Sequence, residues 1–338
     1  MPKMNAYQIE SFGLEGLKKC ELPIPAPAQG QVLVEVRAAS LNYRDLLMVK
    51  GLYDSRMPLP LIPLSDGAGD VVEVGPGVTK VKVGDRVAGS FFQSWIDGPV
   101  SREKIRESLG GPRPGMLASH AVLEEAGAIP IPKSLTFQEA ATLPCAGVTA
   151  WNALFGGSQL RPGDVVLVQG TGGVSVTALQ LAVAAGAKVI ATSSSDEKLE
   201  RVKALGAFAT INYKETPNWG AEVRRLTDGG VDHVIEVGGA GTLKQSLDAV
   251  RFGGHVAIIG VLAGVVAEIP TTTILHKSIQ IRGIYVGSAE MFRAMNRSIE
   301  ANEIKPIVGH TYGFDDASDA LRLMESAGHF GKIVISTE

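Results

Sequence analysis

Hydrophobic positions in the first third of the chain alternate instead of clustering. Gln31-Val-Leu-Val-Glu-Val-Arg37 places apolar residues at every second position, the spacing of a strand with one buried face. Asp70-Val-Val-Glu-Val-Gly75 repeats the pattern and ends at the Pro76-Gly77 turn, and Gly84-Asp-Arg-Val-Ala88 predicts a further short strand. Residues 1 to about 125 therefore predict a β-rich barrel-like or sandwich-like module. Between Gln93 and Ser119 the alternation stops. Mixed charge, prolines and glycines predict an irregular excursion with one short helix near Arg102 to Leu109, either a solvated loop or a loop bordering a substrate cleft.

Beyond residue 130 the rhythm becomes strand, helix, strand. Val165–Gln169 predicts a strand, then a glycine turn and an apolar helix to Ala185. Lys188–Thr192 leads into a helix from Asp196 to Leu205, with Leu199, Val202 and Leu205 on one face and Gly206 as its stop. Strand Ala209–Ile211, a helix near Ala221–Thr227, strand Asp232–Val237, helix Thr242–Val250, strand His255–Ile259 and a sixth strand Ile279–Ile284 follow. This alternation implies an α/β fold with a doubly wound parallel sheet. Helices near Glu290–Ala301 and Asp315–Ser326 and a last strand, Lys332–Ile335, are expected to return to the first module. The organisation predicted is 1–130 plus 286–338 as a substrate domain and 131–285 as a dinucleotide-binding domain.

Composition removes several function classes. The net charge is −3 with no basic run, so binding to nucleic acid or to anionic membranes lacks electrostatic support. Cys20 and Cys145 are the two cysteines, too few for a disulfide framework or a four-cysteine zinc site. The N-terminus does not read as a secretory signal, and no apolar run approaches the roughly 18 residues of a membrane span. A cytoplasmic location is the expectation.

The turn Gly170-Thr-Gly-Gly-Val-Ser175 lies between a strand and a helix, where backbone amides can approach a pyrophosphate. Gly170, Gly172, Gly173 and Val174 are the predicted contacts; Ser175 replaces the third glycine of the dinucleotide fingerprint. The second strand ends in Thr192-Ser-Ser-Ser195 with no carboxylate for a ribose 2′-hydroxyl. Ser193 and Ser194 can donate to a 2′-phosphate, Lys198 can neutralise it, and Tyr213 can reach it. Asp196 and Glu197 count against this unless they serve as first-turn charges on a helix capped by Ser195. NADP(H) is the predicted cofactor, with NAD(H) as the alternative.

The segments Leu41-Asn-Tyr-Arg-Asp-Leu46, Ser65-Asp-Gly-Ala-Gly69, Val83-Gly-Asp-Arg-Val87, Leu143-Pro-Cys-Ala-Gly-Val-Thr-Ala-Trp151 and Gly170-Thr-Gly-Gly-Val174 occur in this order. Together they resemble the medium-chain dehydrogenase/reductase superfamily over nearly the whole chain. The resemblance is closest to its zinc-independent alcohol dehydrogenase and quinone oxidoreductase branch. It implies a Rossmann domain inserted in a GroES-like domain. Zinc-containing members carry a cysteine where this chain has Asn42 and a histidine and glutamate at Ser65 and Asp66; Cys145 alone matches a zinc-ligand cysteine. Asp66 and Cys145 could supply at most two of the three protein ligands a catalytic zinc takes, so no zinc is expected. Cys145 reads as a small buried side chain or a reactive thiol.

The resemblance further implies catalytic roles for Asn42 and Tyr53 as donors to a substrate oxygen, the alternatives being a turn-stabilising Asn and a half-buried loop Tyr; Asp45 reads as a structural residue or a positioning group in the site, and Arg44 is ambiguous. It places Thr149 beside the nicotinamide. Gly238, Gly239, Gly260 and Val261 fall at strand ends, Tyr285, Val286 and Gly287 at the carboxamide, and Lys332 either at a cofactor phosphate or on the surface as a solvated charge.

Without a Lewis acid, a quinone or α,β-unsaturated carbonyl is an easier hydride acceptor than a simple ketone, because its π-system spreads the charge. Reduction of such an acceptor is the expected function. The alternatives are zinc-independent alcohol oxidation or aldehyde reduction, and a low-turnover NADPH-binding structural or redox-sensing protein. Tyr53, Phe91, Phe92 and Trp95 suggest an apolar small-molecule substrate. A homodimer through the strand Ile279–Ile284 is expected, with a tetramer as the alternative.

Overall fold

Two compact units make up the chain, residues 1–148 with 286–338, and residues 149–285. The computed structural model describes residues 2–266 and 268–337. Residues 131–148, expected with the second unit, belong to the first. There Thr136 and Glu139 form a capping box that starts the helix Phe137–Ala141. That helix lies against the strands Gln31–Ser40 and Asp66–Val74.

The first unit is built on a mostly antiparallel sheet. Among the described residues its strand order is Val308–Tyr312, Lys332–Ser336, Gln31–Ser40, Asp66–Val74, Arg86–Gly89 and Ala128–Pro130. His120–Glu124 also pairs with Gln31–Ser40, and Lys3–Ile9 with Leu17–Pro23 forms a separate hairpin. Strand Gln31–Ser40 outruns its predicted length. Its register against Asp66–Val74 shifts after Leu33 and after Val36, so Val32, Leu33 and Val34 are all buried and strict alternation lapses. The last strand does return to this unit: Val334 lies opposite Ser40 and Ile335 opposite Ala39.

The helix expected near Arg102–Leu109 is not formed. Turns occupy that stretch, and Ser108 and Leu109 bridge to Phe92 and Arg113. Its charged groups make tertiary contacts instead of lining a helix face. Lys104 donates to the carbonyls of Asp97 and Pro99 at 2.7 and 3.1 Å, and Glu107 accepts from Arg113 at 2.9 Å. Phe91, Phe92 and Trp95 are buried, with Phe91 and Phe92 stacked edge to face at 4.7 Å, so they serve as core and not as a substrate-facing aromatic lining.

The second unit carries a parallel sheet in the order Ala209–Asn212, Lys188–Ser193, Val165–Gln169, Val231–Glu236, Val250–Ile258, Gln280–Gly283. Numbered along the chain this is 3-2-1-4-5-6, the doubly wound order of a Rossmann sheet. Its direction of winding reverses between Val165–Gln169 and Val231–Glu236, and ligands bind at the carboxyl ends of such a pair. The helix Gly173–Ala184 is apolar on nearly every side and mostly buried, as expected of a helix packed on a sheet.

Two of this unit's imidazoles are buried side by side. His233 and His255 sit opposite each other on adjacent strands, with ring centroids 5.8 Å apart. His233 Nε2 lies 3.2 Å from Asp164 Oδ2, while both nitrogens of His255 are buried with no hydrogen-bond partner among the described residues. Burial lowers the pKa of both rings, that of His255 to about 4. The unfolded chain binds protons on these rings near the ordinary value of about 6.5, so it holds more protons than the fold throughout the interval below it. Stability is therefore full above about pH 6.5 and falls as the pH drops toward 4. We expect His255 to account for about 2–3 kcal/mol of that loss. Urea unfolding at pH 7 and pH 4.5 measures it, and His255→Leu should flatten the dependence.

Candidate active site

The glycine turn sits at the point where the parallel sheet reverses. Gly170 has φ of +69°, which favours glycine, and a side chain added at Gly170 or Gly172 would meet open space. The helical ladder begins with Val176 N–H donating to Gly172 O at 3.0 Å, so the amides of Gly173 and Val174 lie ahead of it at the helix end. Ser175 fills the place of the third glycine. It is buried, and its Oγ donates to the Gln169 carbonyl at 2.6 Å, tying helix to strand with a bond glycine could not make. These features fit a dinucleotide pyrophosphate.

The end of the second strand gathers the predicted ribose-side residues. Asn212 pairs with Ser193 in the sheet, and Tyr213 N–H donates to the Ser193 carbonyl at 3.1 Å. Ser195 caps the following helix by accepting from Lys198 N–H at 3.4 Å. Asp196, the charge that counted against a 2′-phosphate, accepts from Asn212 Nδ2 at 2.8 Å. That bond anchors its carboxylate to the third strand.

Glu236 was not singled out in the sequence, yet it organises the neighbouring strand end. It is fully buried. Its Oε1 accepts from Gly238 N–H at 2.8 Å, from Gly239 N–H at 2.9 Å and from the Thr242 hydroxyl. Its Oε2 accepts from Gln169 Nε2 at 2.8 Å and from the Ser246 hydroxyl. The carboxylate thus links the strand of the glycine turn to the Gly238-Gly239 turn. The one sequence signal is an acid directly after the apolar pair Val234-Ile235, at the end of the strand. Gly260 has no room for a side chain, since a Cβ would lie 2.4 Å from the Val237 carbonyl. Val261 and Tyr285 are partly exposed, and Thr149 is buried in the helix Val148–Phe155. Val286 adopts φ of +55°, uncommon for a β-branched residue and typical of backbone held for a purpose.

In the first unit the polar residues form one buried network. Asn42 precedes the helix Tyr43–Val49, and its N–H donates to Asp45 Oδ2 at 2.8 Å. Asn42 Nδ2 donates to Ser65 Oγ at 3.3 Å, and Ser65 Oγ donates to Asp66 Oδ1 at 2.7 Å. Asp66 Oδ2 accepts from Cys145 N–H at 3.1 Å. Leu64, with φ of +68°, turns the chain into this cluster. Lys332 closes it: its ammonium donates to Asn42 Oδ1 at 2.6 Å and to the Leu41 carbonyl, and stands 4.0 Å from Asp66 Oδ2.

One expectation changes here, and the roles of Asp45 and Arg44 take definite form. Lys332 does not extend to a cofactor phosphate, because it is buried and bonded to Asn42 and Leu41. Asp45 is enclosed too completely to touch a substrate. It braces Asn42 and accepts from Arg44 at 3.3 Å, and burial raises its pKa against the pull of Arg44. Arg44 is itself an anchor, donating to Leu109 O and Ser108 Oγ at 3.0 and 2.7 Å and stacking over Phe91 and Tyr53. Tyr53 remains 40% exposed and Asn42 is 8% exposed, so the amide of Asn42 lies near the edge of the cluster.

These side chains fit a divalent ion poorly. Both Asp66 oxygens already accept hydrogen bonds, and both ends of the Asn42 amide are engaged. Burial, then the neighbouring Asp66 carboxylate, pushes the Cys145 thiol well up, whereas a metal needs the thiolate. A buried ammonium occupies the middle of the group.

Comparison with known proteins agrees with both units. Residues 28–133 match the alcohol dehydrogenase GroES-like domain and residues 173–301 match the zinc-binding dehydrogenase model. A zinc-type alcohol dehydrogenase-like protein of Schizosaccharomyces pombe is 46% identical, with 97% of each chain covered. A quinone oxidoreductase of Rattus norvegicus is 31% identical over 98% of this chain and 97% of its own. The crystal structure of a putative alcohol dehydrogenase from Sinorhizobium meliloti superposes with a TM-score of 0.92 at 41% identity, covering 99% of both chains. The chain belongs to the medium-chain dehydrogenase/reductase superfamily and is an oxidoreductase of that family.

Proposed function

We propose that this chain uses NADPH to reduce a quinone or an α,β-unsaturated carbonyl without a metal ion. The observation that supports this most is the saturated donor set around Asp66, where hydrogen bonds take up the groups a metal would need. When bound, the nicotinamide supplies the hydride. Asn42 Nδ2 carries a second hydrogen beyond the one given to Ser65, and it donates to the acceptor's oxygen as negative charge builds there. Tyr53, exposed beside Arg44, donates its phenolic proton to the reduced product.

NADPH absorbance followed with a quinone, an enone and an aldehyde, and NADP⁺ reduction followed with an alcohol, test the reading. Turnover confined to quinone and enone is expected. Turnover confined to alcohol and aldehyde would favour the activity that the Schizosaccharomyces pombe relative's name carries. Tight NADPH binding with no turnover would indicate a binding protein.

The cofactor preference rests on Ser193, Ser194, Lys198 and Tyr213, and on the tie between Asp196 and Asn212. Lys198→Ala is expected to weaken NADPH about tenfold and leave NADH unchanged, since an ion pair with a 2′-phosphate is worth about 1–2 kcal/mol. Isothermal titration with both cofactors measures it, and equal losses would contradict the assignment. The edge strand Gln280–Gly283 exposes Ile281, and Val265 and Val266 of the same unit are almost fully exposed, which supports a homodimer. Light scattering is expected to give twice the chain mass; a monomer would contradict it.

A further inference from the structure

We propose that the ammonium of Lys332 stands in for a catalytic metal ion, holding Asn42 as a polarised hydrogen-bond donor and keeping divalent ions out of the Asp66 cluster. This rests on the proposed reduction of activated carbonyls. Three observations carry it. Lys332 is 5% exposed, so its charge is held inside the protein. It lies 2.6 Å from Asn42 Oδ1 and 4.0 Å from Asp66 Oδ2, between the amide and the carboxylate. It is fixed there by the Leu41 carbonyl, through strand pairing that sets Leu41 N–H on the Ile333 carbonyl at 3.0 Å.

The charge arithmetic is balanced. Asp45 and Asp66 are buried carboxylates; Arg44 pairs with the first, and Lys332 stands near the second. A buried carboxylate without such a neighbour is costly. With its oxygen bound to an ammonium, the Asn42 amide is polarised toward its nitrogen and becomes a stronger donor to a developing oxyanion. Its orientation is also settled, because only the oxygen end can accept from Lys332. A metal ion would achieve the same stabilisation by direct coordination. Lys332 does so at one remove, as a positioning residue.

Two experiments test this. The first uses Lys332→Gln, which keeps a donor of similar reach and removes the charge. With the enone, kcat should fall about 100-fold at nearly constant KM, while with the more electrophilic quinone it should fall less than about tenfold. A purely structural lysine would lower both equally, and that result, or no loss at all, would overturn the proposal. The second needs no turnover. Asn42→Cys with Ser65→His restores the ligand types found in zinc relatives, and Co²⁺ binding is read from its thiolate absorption band. With Lys332 retained, Co²⁺ should bind at least about 100-fold more weakly than with Lys332→Met added, because a unit charge within about 4 Å of the ion opposes it. NADPH binding by each variant confirms that it is folded. Affinities within about threefold would overturn the proposal. If the natural chain reduces neither acceptor, the functional reading fails and the Co²⁺ comparison still decides the role of Lys332.

Discussion

Asn42→Ala is expected to lower kcat for an enone by about 100-fold while leaving the Kd for NADPH within about twofold, the loss typical of removing one donor to an oxyanion. The side chain touches Ser65 and Lys332, both within its own unit. The backbone bond from Asn42 N–H to Asp45 survives the substitution, so the helix Tyr43–Val49 keeps its start. Lys332 loses one acceptor and keeps the Leu41 carbonyl. A modest stability loss of about 1–2 kcal/mol should accompany the kinetic defect. Steady-state kinetics and thermal unfolding on the same preparation separate the two. A kcat within threefold of the natural chain would remove Asn42 from the chemistry.

Gly172→Asp should be larger still in its effect on the cofactor, weakening NADPH about 1000-fold, or about 4 kcal/mol. The substitution has room: Gly172 has φ of −79° and no atom within 4 Å of an added Cβ. It even suits the fold, because Gly172 is the N-cap of the helix Gly173–Ala184 and aspartate is a preferred cap. Its carboxylate would lie where a pyrophosphate meets the helix end, and like charges would oppose each other in a partly dehydrated site. The expected result is therefore a chain that unfolds no earlier than the natural one and no longer binds NADPH. Calorimetric titration and melting in the absence of cofactor check both halves. Unimpaired binding would mean that the turn does not hold the pyrophosphate.

The dinucleotide unit was legible because its signals are local. Apolar strands, glycine stops and Ser195 as a cap each depend on residues within a few positions, and Val165–Gln169 and Asp196–Ala204 lie close to where the pattern placed them. Helix Arg102–Leu109 failed for the opposite reason, since its charges answer to Asp97, Pro99 and Arg113 instead of to each other. The active-site cluster was half legible. Motif position led to Asn42, Ser65 and Asp66. Nothing near residue 332 indicates that its ammonium lies against residue 42, because the contact is made by the last strand pairing across 290 positions of chain. Glu236 shows the intermediate case, a local oddity whose partners, Gln169 and Ser246, are set by the sheet and the helix beside it.

The central claim is reduction of an activated carbonyl with NADPH and no metal. Its most direct test is the initial rate of NADPH oxidation with an enone, measured on protein dialysed against a strong chelator and again after adding Zn²⁺. The same rate is expected before dialysis, after dialysis and after zinc addition. A rate that disappears with the chelator and returns with zinc would contradict it.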